Sequence, residues 1–418
     1  MFGVLRRNVE FRRIWLAQVV SEAGDWLNRI AILTLIGELG GARELGVLFG
    51  AELVVRLLPT AMMGPIAGPI ADRVPRRTLM MAADLVRAGI VLLFLLVDGA
   101  EDLWLLYTLL VAQMSVSIFF QSARSASIPR TVPAEELHEA YAVTAATWST
   151  MLSIGALVGG LLVRWVGTDG VFLCDAATYL VSASFLVRLD LGARTEHPER
   201  FSVRRILLLE DMRDGLRQVR ERGLLWIVLA KSFWGGAGGY LVLLSLYGHR
   251  RFGDDEGASE LALGTAVGLL YFARGIGTGI GPILARRIFG SSDRALFGQV
   301  AGGFAVGALG YACFAPVQSL WLGFACVVFA HLGGSSLWVS STLLWQRKVE
   351  DRYRGRVYAL EFLGMTLSFA AAGFLTGRLF DANGSLTHTT WSVTAAVVVL
   401  GAAWSFLARR GGLGRVST

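Results

Sequence analysis

Long apolar stretches recur twelve times along this chain, at roughly 12–38, 45–71, 77–97, 103–123, 140–165, 170–187, 223–247, 262–285, 295–315, 319–345, 355–378 and 387–408. Each approaches or exceeds the ~20 residues a helix needs to cross the hydrocarbon of a bilayer. A backbone that leaves water must satisfy its own N–H and C=O groups, and stretches of this length do so as helices. Composition agrees: 54% of residues are apolar, only 17% are charged, and mean hydropathy is +0.56. That excludes a soluble domain of ordinary make-up. Arg6, Arg7, Arg12 and Arg13 before the first stretch resemble the start of a secretory leader. Glu22, Asp25 and Arg29 interrupt it and no small-residue cleavage site follows, so it reads as a retained helix. Cys174, Cys313 and Cys326 all fall inside spans, where they act as small apolar residues and suggest neither a disulfide framework nor a metal site.

The net charge of +7 is distributed like that of a membrane protein, not a nucleic-acid binder. With a cytoplasmic N-terminus, 29 of the 39 Lys and Arg residues fall in inner segments, five in outer loops and five within spans. Both termini are therefore expected in the cytoplasm, with the lipid bilayer of the cell (inner or plasma) membrane as the first partner. Trp15 and Trp226 mark inner span ends, and Trp104, Trp165 and Trp321 outer ones. The longest polar stretch divides the spans six and six, so the expected domains are 1–189, a cytoplasmic linker 190–222 and 223–418. Within the linker, Ile206–Arg220 is amphipathic; its basic face either meets anionic headgroups or is simply solvated.

The two halves repeat one another. In span 2, Gly46, Arg56 and Thr60 have the spacing of Gly264, Arg274 and Thr278 in span 8. After span 4, Arg130, Val132, Tyr141 and Ala142 have the spacing of Arg347, Val349, Tyr358 and Ala359 after span 10. The offsets are 218 and 217, which argues for duplication about an axis along the membrane normal.

Between spans 2 and 3 lies a polar hinge from Gly64 to Arg77, in which Gly68 precedes Asp72-Arg73 by four residues and Arg76-Arg77 follows. This pattern resembles the signature loop of the major facilitator superfamily of secondary transporters, except that Pro75 stands where the family usually has glycine. The resemblance implies an all-α membrane protein of twelve transmembrane helices in two pseudo-symmetric six-helix bundles. It also implies a cytoplasmic gate made by Gly68, Asp72, Arg73, Arg76 and Arg77. Gly68 would allow close helix approach, and Asp72 would dock on the other half near Gly355 and Arg356. Ser21-x-x-Gly24-Asp25-x5-Ala31, with Ile128-Pro129-Arg130-x-Val132-Pro133-x-Glu135-x-Leu137, resembles the bacterial efflux branch of enterobactin exporters, macrolide pumps and lysophospholipid transporters. The efflux-associated glycine pattern of span 5 is present only in part, as Gly155-x3-Gly159-Gly160 without its proline.

Charges inside spans cost roughly 2.5–3.5 kcal/mol each on insertion scales, so each should face a cavity or a partner. Glu22, Asp25 and Arg29 share one stripe of span 1; Glu52 and Arg56 lie in span 2, Lys231 in span 7, Arg274 in span 8, His331 in span 10 and Glu361 in span 11. By the resemblance, spans 1, 4, 7 and 10 line the central cavity and spans 2, 5, 8 and 11 form the interface between halves. Asp25 and Glu22 are the proton-coupling candidates, with an Asp25–Arg29 ion pair as the structural alternative. Arg29, Glu52, Arg56, Lys231, Arg274, His331 and Glu361 are the substrate-cavity candidates. Asp84 and Arg87 are expected to anchor the inner end of span 3.

No phosphate-binding loop, nucleophile motif or metal-ligand cluster occurs, so an enzyme is not expected and no cofactor is implied. The expected activity is proton-driven export of a small organic molecule (a drug, macrolide or siderophore) by a monomer alternating between inward- and outward-open states. A lysophospholipid flippase is the alternative, and a non-transporting receptor or scaffold a remote one.

Overall fold

The structure, a computed structural model, describes residues 3–40, 44–71, 73–191, 209–252 and 261–410. Every element of regular structure among them is helical. After the short α1 (Gly3–Arg7) come α2 (Val9–Leu39), α3 (Leu45–Ala71), α4 (Arg76–Leu93), α5 (Leu103–Ser127) and α6 (Leu137–Val187). Then follow α7 (Leu209–Glu221), α8 (Leu225–Val228), α9 (Ala230–Gly236), α10 (Tyr240–Arg250), α11 (Leu261–Phe289), α12 (Asp293–Phe314), α13 (Leu320–Lys348), α14 (Asp351–Asn383) and α15 (Leu386–Arg410).

Among the described residues, nine helical stretches are long and apolar enough to cross a membrane. Three features bring these to the twelve expected spans. The stretch containing α6 bends at Gly167, whose φ of 71° and ψ of 177° lie outside the helical region, so it carries spans 5 and 6. The 31-residue α2 is span 1, its apolar character diluted by Glu22, Asp25 and Arg29. Span 7, expected to be continuous, is broken into α8, α9 and α10. The second break falls in the run Gly235-Gly236-Ala237-Gly238-Gly239, where helix propensity is low and α14 comes very close. A Cβ on Gly239 would sit 1.9 Å from Thr376 Oγ1, and one on Gly238 2.4 Å from Phe369 Cδ1.

By contact the chain falls into two compact units. One comprises Met1–Leu39, Pro59–Ile206 and Ser259–Gly268; the other comprises Gly40–Leu58, Leu207–Ala258 and Leu269–Thr418. The boundary cuts α3 and α11, because the first half of α3 packs on α14 while the first residues of α11 pack on α6. Gly46 meets Gly377, where either glycine's Cβ would lie within 2.3 Å of the other's carbonyl oxygen. Gly160 meets Gly264, whose carbonyl oxygen would be 2.5 Å from a Cβ at Gly160. Gly160 and Gly377 are 217 residues apart and Gly46 and Gly264 are 218 apart, the offsets of the sequence repeat. Gly50 against Gly373 and Gly268 against Ala156 repeat the crossing one turn further along. The duplication is thus visible as two copies of one small-residue helix crossing. One copy has an addition: Asp381 accepts hydrogen bonds from Gly46 N–H (2.8 Å) and Val47 N–H (2.7 Å), placing a carboxylate on the N-terminus of α3.

In the first unit, Ile14, Ala17, Ala71, Met80, Ala83, Phe120, Ala123, Leu186 and Leu189 bring α2 to α6 together in one buried cluster. The belt tryptophans Trp104, Trp165 and Trp321 are 67, 71 and 69% exposed, as interface anchors should be. The amphipathic linker helix, α7, keeps its basic residues Arg213, Arg217 and Arg220 exposed and turns its other face onto protein. Its buried Gly215 packs against the backbone of Arg356 on α14, Asp214 pairs with Arg356 at 3.3 Å, and Val219 is fully buried. Its apolar stripe is used by protein, so the amphipathic pattern that suggests a membrane face is satisfied within the second unit.

Candidate functional site

The first unit gathers its intramembrane charges around one guanidinium. On α2, Ser21, Asp25 and Asn28 fall at helical spacing on one face. Arg87 on α4 reaches this face, its Nη2 bonding Asp84 Oδ1 at 2.5 Å and Ser21 Oγ at 3.1 Å, and its Nη1 lying 3.6 Å from Asp25 Oδ2. The guanidinium sits over the rings of Tyr179 and Phe120, at 4.3 and 4.9 Å. The Tyr179 hydroxyl donates to Asp25 Oδ1 at 2.5 Å, and Gln113 Nε2 donates to Tyr179 at 3.1 Å. Ser182 Oγ donates to the second oxygen of Asp84 at 2.6 Å. Arg87 and Asp84 are buried, whereas the Asp25 side chain keeps 31% exposure and is the wet edge of the cluster.

One turn before Asp25, Glu22 accepts from Gln18 (3.0 Å) and from Arg124 on α5 (3.2 Å). Asp25 thus has an interhelical partner in Arg87, while Arg29 lies over the Trp26 ring at 5.3 Å. Asp84 and Arg87, expected as anchors near the inner end of their span, belong to the same cluster as Asp25. Two members were missed in the sequence altogether: Asp175, fully buried on the second half of α6, and Tyr179 one turn on. A lone aspartate inside the apolar stretch 170–187 was the signal available for it. Arg124, near the C-terminal end of α5, is a partner of Glu22.

The second unit holds a separate ion pair. Lys231 on α9 contacts Glu361 on α14 at 2.9 Å, with side chains 4% and 2% exposed. Lys231 Nζ also donates to Thr342 Oγ1 at 2.6 Å and lies 4.7 Å from the Trp338 ring, while Trp345 Nε1 donates to Glu361 at 2.9 Å. The glycine run that breaks span 7 frees α9 to present Lys231 here. Glu52 and Arg56 pair along α3 at 2.6 Å, four residues apart. His331 is buried, shares a 2.9 Å hydrogen bond with Tyr311, and stands edge-on to Tyr240 at 5.1 Å. Trp234 and Tyr240 close the same aromatic group, and Arg274 lies near Tyr240, Tyr311 and His331. The cavity candidates therefore separate into Arg29 over Trp26 in the first unit and, in the second, the Lys231–Glu361 pair, the Glu52–Arg56 pair and the Arg274–His331 aromatic group.

The hinge motif is described only in part. Arg73 donates to Pro69 O at 3.3 Å and Arg76 to Ala126 O at 2.5 Å, so both arginines tie the turn to backbone carbonyls. Arg77 is exposed. Asp72 lies outside the described residues, so its expected docking stays outside the structure. Among the described residues, Gly68 has open space on its Cβ side, whereas Gly46 and Gly160 are tightly packed against backbone. Among the described residues, no group of His, Cys, Asp or Glu side chains is placed to hold a metal ion.

Long apolar helices with ion clusters buried between them define a multi-pass membrane transporter. The chain belongs to the major facilitator superfamily, whose profile matches residues 14–309. It is 29% identical over 177 residues to the MFS-type transporter YfiS of Bacillus subtilis (strain 168), a match spanning 42% of this chain and 41% of that one. The chain therefore spans less than half the length of that relative. Macrolide efflux protein A of Streptococcus pyogenes is 22% identical over 399 residues, 94% of each chain. Among solved structures, the peptide transporter POT in complex with sulfate superposes with a TM-score of 0.76 at 14% identity, over 97% of this chain and 95% of that one. At such identity the likeness concerns the fold alone.

Proposed function

We propose that this transporter is a proton-coupled exporter of small organic molecules, working by alternating access in the plasma membrane with both termini in the cytoplasm. The observation that carries the reading is the Asp25 site: a partly exposed carboxylate held between a guanidinium and a phenol, inside a transmembrane bundle. The site is open at the acid and closed at the base, so protonation of Asp25 alters its attraction for Arg87 and couples proton occupancy to helix packing. The relative named as a macrolide efflux protein supports export as the direction and a macrolide as the first probe.

The test uses full-length protein in liposomes with an imposed pH gradient, with ethidium and a macrolide antibiotic as probes. The parent accumulates at least one probe against its gradient, and collapsing the pH difference stops it. Asp25→Asn removes this driven component but retains downhill exchange, because the amide mimics only the protonated form. Transport by the parent that ignores the pH gradient would remove the coupling from the reading. Movement of a labelled lysophospholipid in place of both probes would reassign the cargo.

A further inference from the structure

Asp25, Asp84 and Asp175 surround Arg87, the guanidinium that pairs with the first two. Their hydrogen bonds are unequal. Asp84 is supplied on both oxygens, by Arg87 and by Ser182, as an ionised carboxylate requires. Asp25 has Tyr179 on one oxygen and Arg87 beside the other. Asp175, with no exposure, has a 3.3 Å contact from Thr178 Oγ1 on Oδ1, and that hydroxyl also donates to the Asp175 carbonyl at 2.7 Å. Among the described residues, Asp175 Oδ2 meets no donor in good hydrogen-bond geometry; the amide of the buried Asn28 lies beside it but is poorly aligned.

A buried anion with one long hydrogen bond is the least tolerable state of a carboxyl group, and the neutral acid the most tolerable. Charge counting agrees. The groups facing Asp175 are Asp25 on α2, Asp84 and Arg87 on α4 and Tyr179 on its own helix; the neighbouring Glu22–Arg124 pair is neutral overall, and Arg29 lies over Trp26 a turn beyond Asp25. Counting these four groups alone, three ionised aspartates against the one positive charge of Arg87 would leave two net negative charges.

We infer that Asp175 is the proton store of the Asp25 site, buried in its protonated form and exchanging its proton through Asp25. The inference rests on the proton-coupled reading of Asp25. Asp175 packs against α2 beside Asp25: its Oδ1 would lie 2.3 Å from a Cβ on Gly24, the residue before Asp25, and the two carboxyl groups interact electrostatically. Gly24 is therefore the residue that admits Asp175 to the cluster. In the transfer, the Asp175 hydroxyl gives its proton to the Asp25 carboxylate, leaving Asp175 ionised and Asp25 neutral with total charge conserved. Asp25, at the wet edge, then exchanges with water.

Infrared spectroscopy of the purified full-length protein at neutral pH tests this without any transported ligand. The parent shows the carbonyl stretch of a protonated carboxyl group, shifted in D2O. Asp175→Asn loses that band, whereas Asp25→Asn, Asp84→Asn and Glu22→Gln keep it. A band that survives Asp175→Asn, disappears with one of the other three, or is absent from the parent overturns the inference. Where Asp175→Asn does not yield folded protein, Thr178→Val decides, since loss of the hydroxyl on Oδ1 shifts the band of Asp175 and leaves that of any distant acid unmoved; an unmoved band overturns the inference. Failure of the functional reading looks different: the band assigned to Asp175 is present, but pH-driven transport is not.

Discussion

At the scale of single residues, the two charge clusters differ in what they can tolerate. Asp25 is exposed at one edge and held by Tyr179 and Arg87, so its protonation can change with modest rearrangement. Lys231 and Glu361 are closed off, and each is the other's counter-charge inside the second unit. Removing one partner of such a pair leaves an uncompensated buried charge, which costs roughly 3–5 kcal/mol, whereas replacing both by apolar groups is often neutral. Glu361→Gln and Lys231→Met are therefore each expected to lower stability by about that amount, read as the denaturation midpoint in detergent. The double variant should recover more than half of the loss. Additive losses would mean that the two side chains act separately and that the pair has no energetic role. Sequence reading named both residues but not their partnership, because they lie 130 positions apart and nothing local couples them. Asp84 and Arg87 could be paired from sequence by their spacing, but their association with Asp25 and Asp175 required two other helices, α2 and α6, to be placed.

At the scale of elements, the glycine crossings explain why α3 and α11 are divided by contact. Gly46 on Gly377, and Gly160 on Gly264, bring backbones so close that a side chain at Gly46, Gly377 or Gly160 collides with a carbonyl oxygen. Backbone cannot move aside as a flexible side chain can. Gly377→Ala and Gly160→Ala are each expected to cost about 1–3 kcal/mol of stability by overpacking. Their melting temperatures should fall together, since the two crossings are copies of one design. A large loss at one and none at the other would mean the duplicated spacing survives without a duplicated structural role. Gly68 serves as the internal comparison, with open space around it and little expected change on substitution to Ala. The repeat itself was legible through Gly46, Arg56 and Gly264, Arg274. Its partners Gly377 and Gly160 were not, because many glycines occur in these spans and only the crossing selects among them.

At the scale of the whole molecule, the charge distribution predicts a single orientation in the membrane. In a background with Cys174, Cys313 and Cys326 replaced by Ser, Ser319→Cys should react with an impermeant maleimide in intact cells, whereas Arg220→Cys should react only after permeabilisation. Both positions are exposed, so burial does not explain a difference. Labelling of Arg220→Cys from outside would invert the topology. The apolar stretches and their number were settled by sequence, because a bilayer imposes a minimum length and requires the backbone to be satisfied within each helix. So was the duplication, since nearly equal offsets at independent motifs are a property of sequence alone. Tertiary structure decided the rest. The break in span 7 depends on how closely α14 approaches a glycine run, and the place of α7 on its contact with Arg356. The grouping of Asp25, Asp84, Arg87 and Asp175 depends on α2, α4 and α6 meeting at one depth. Helix periodicity reveals which face a residue occupies, but only packing determines which faces of distant segments share a site.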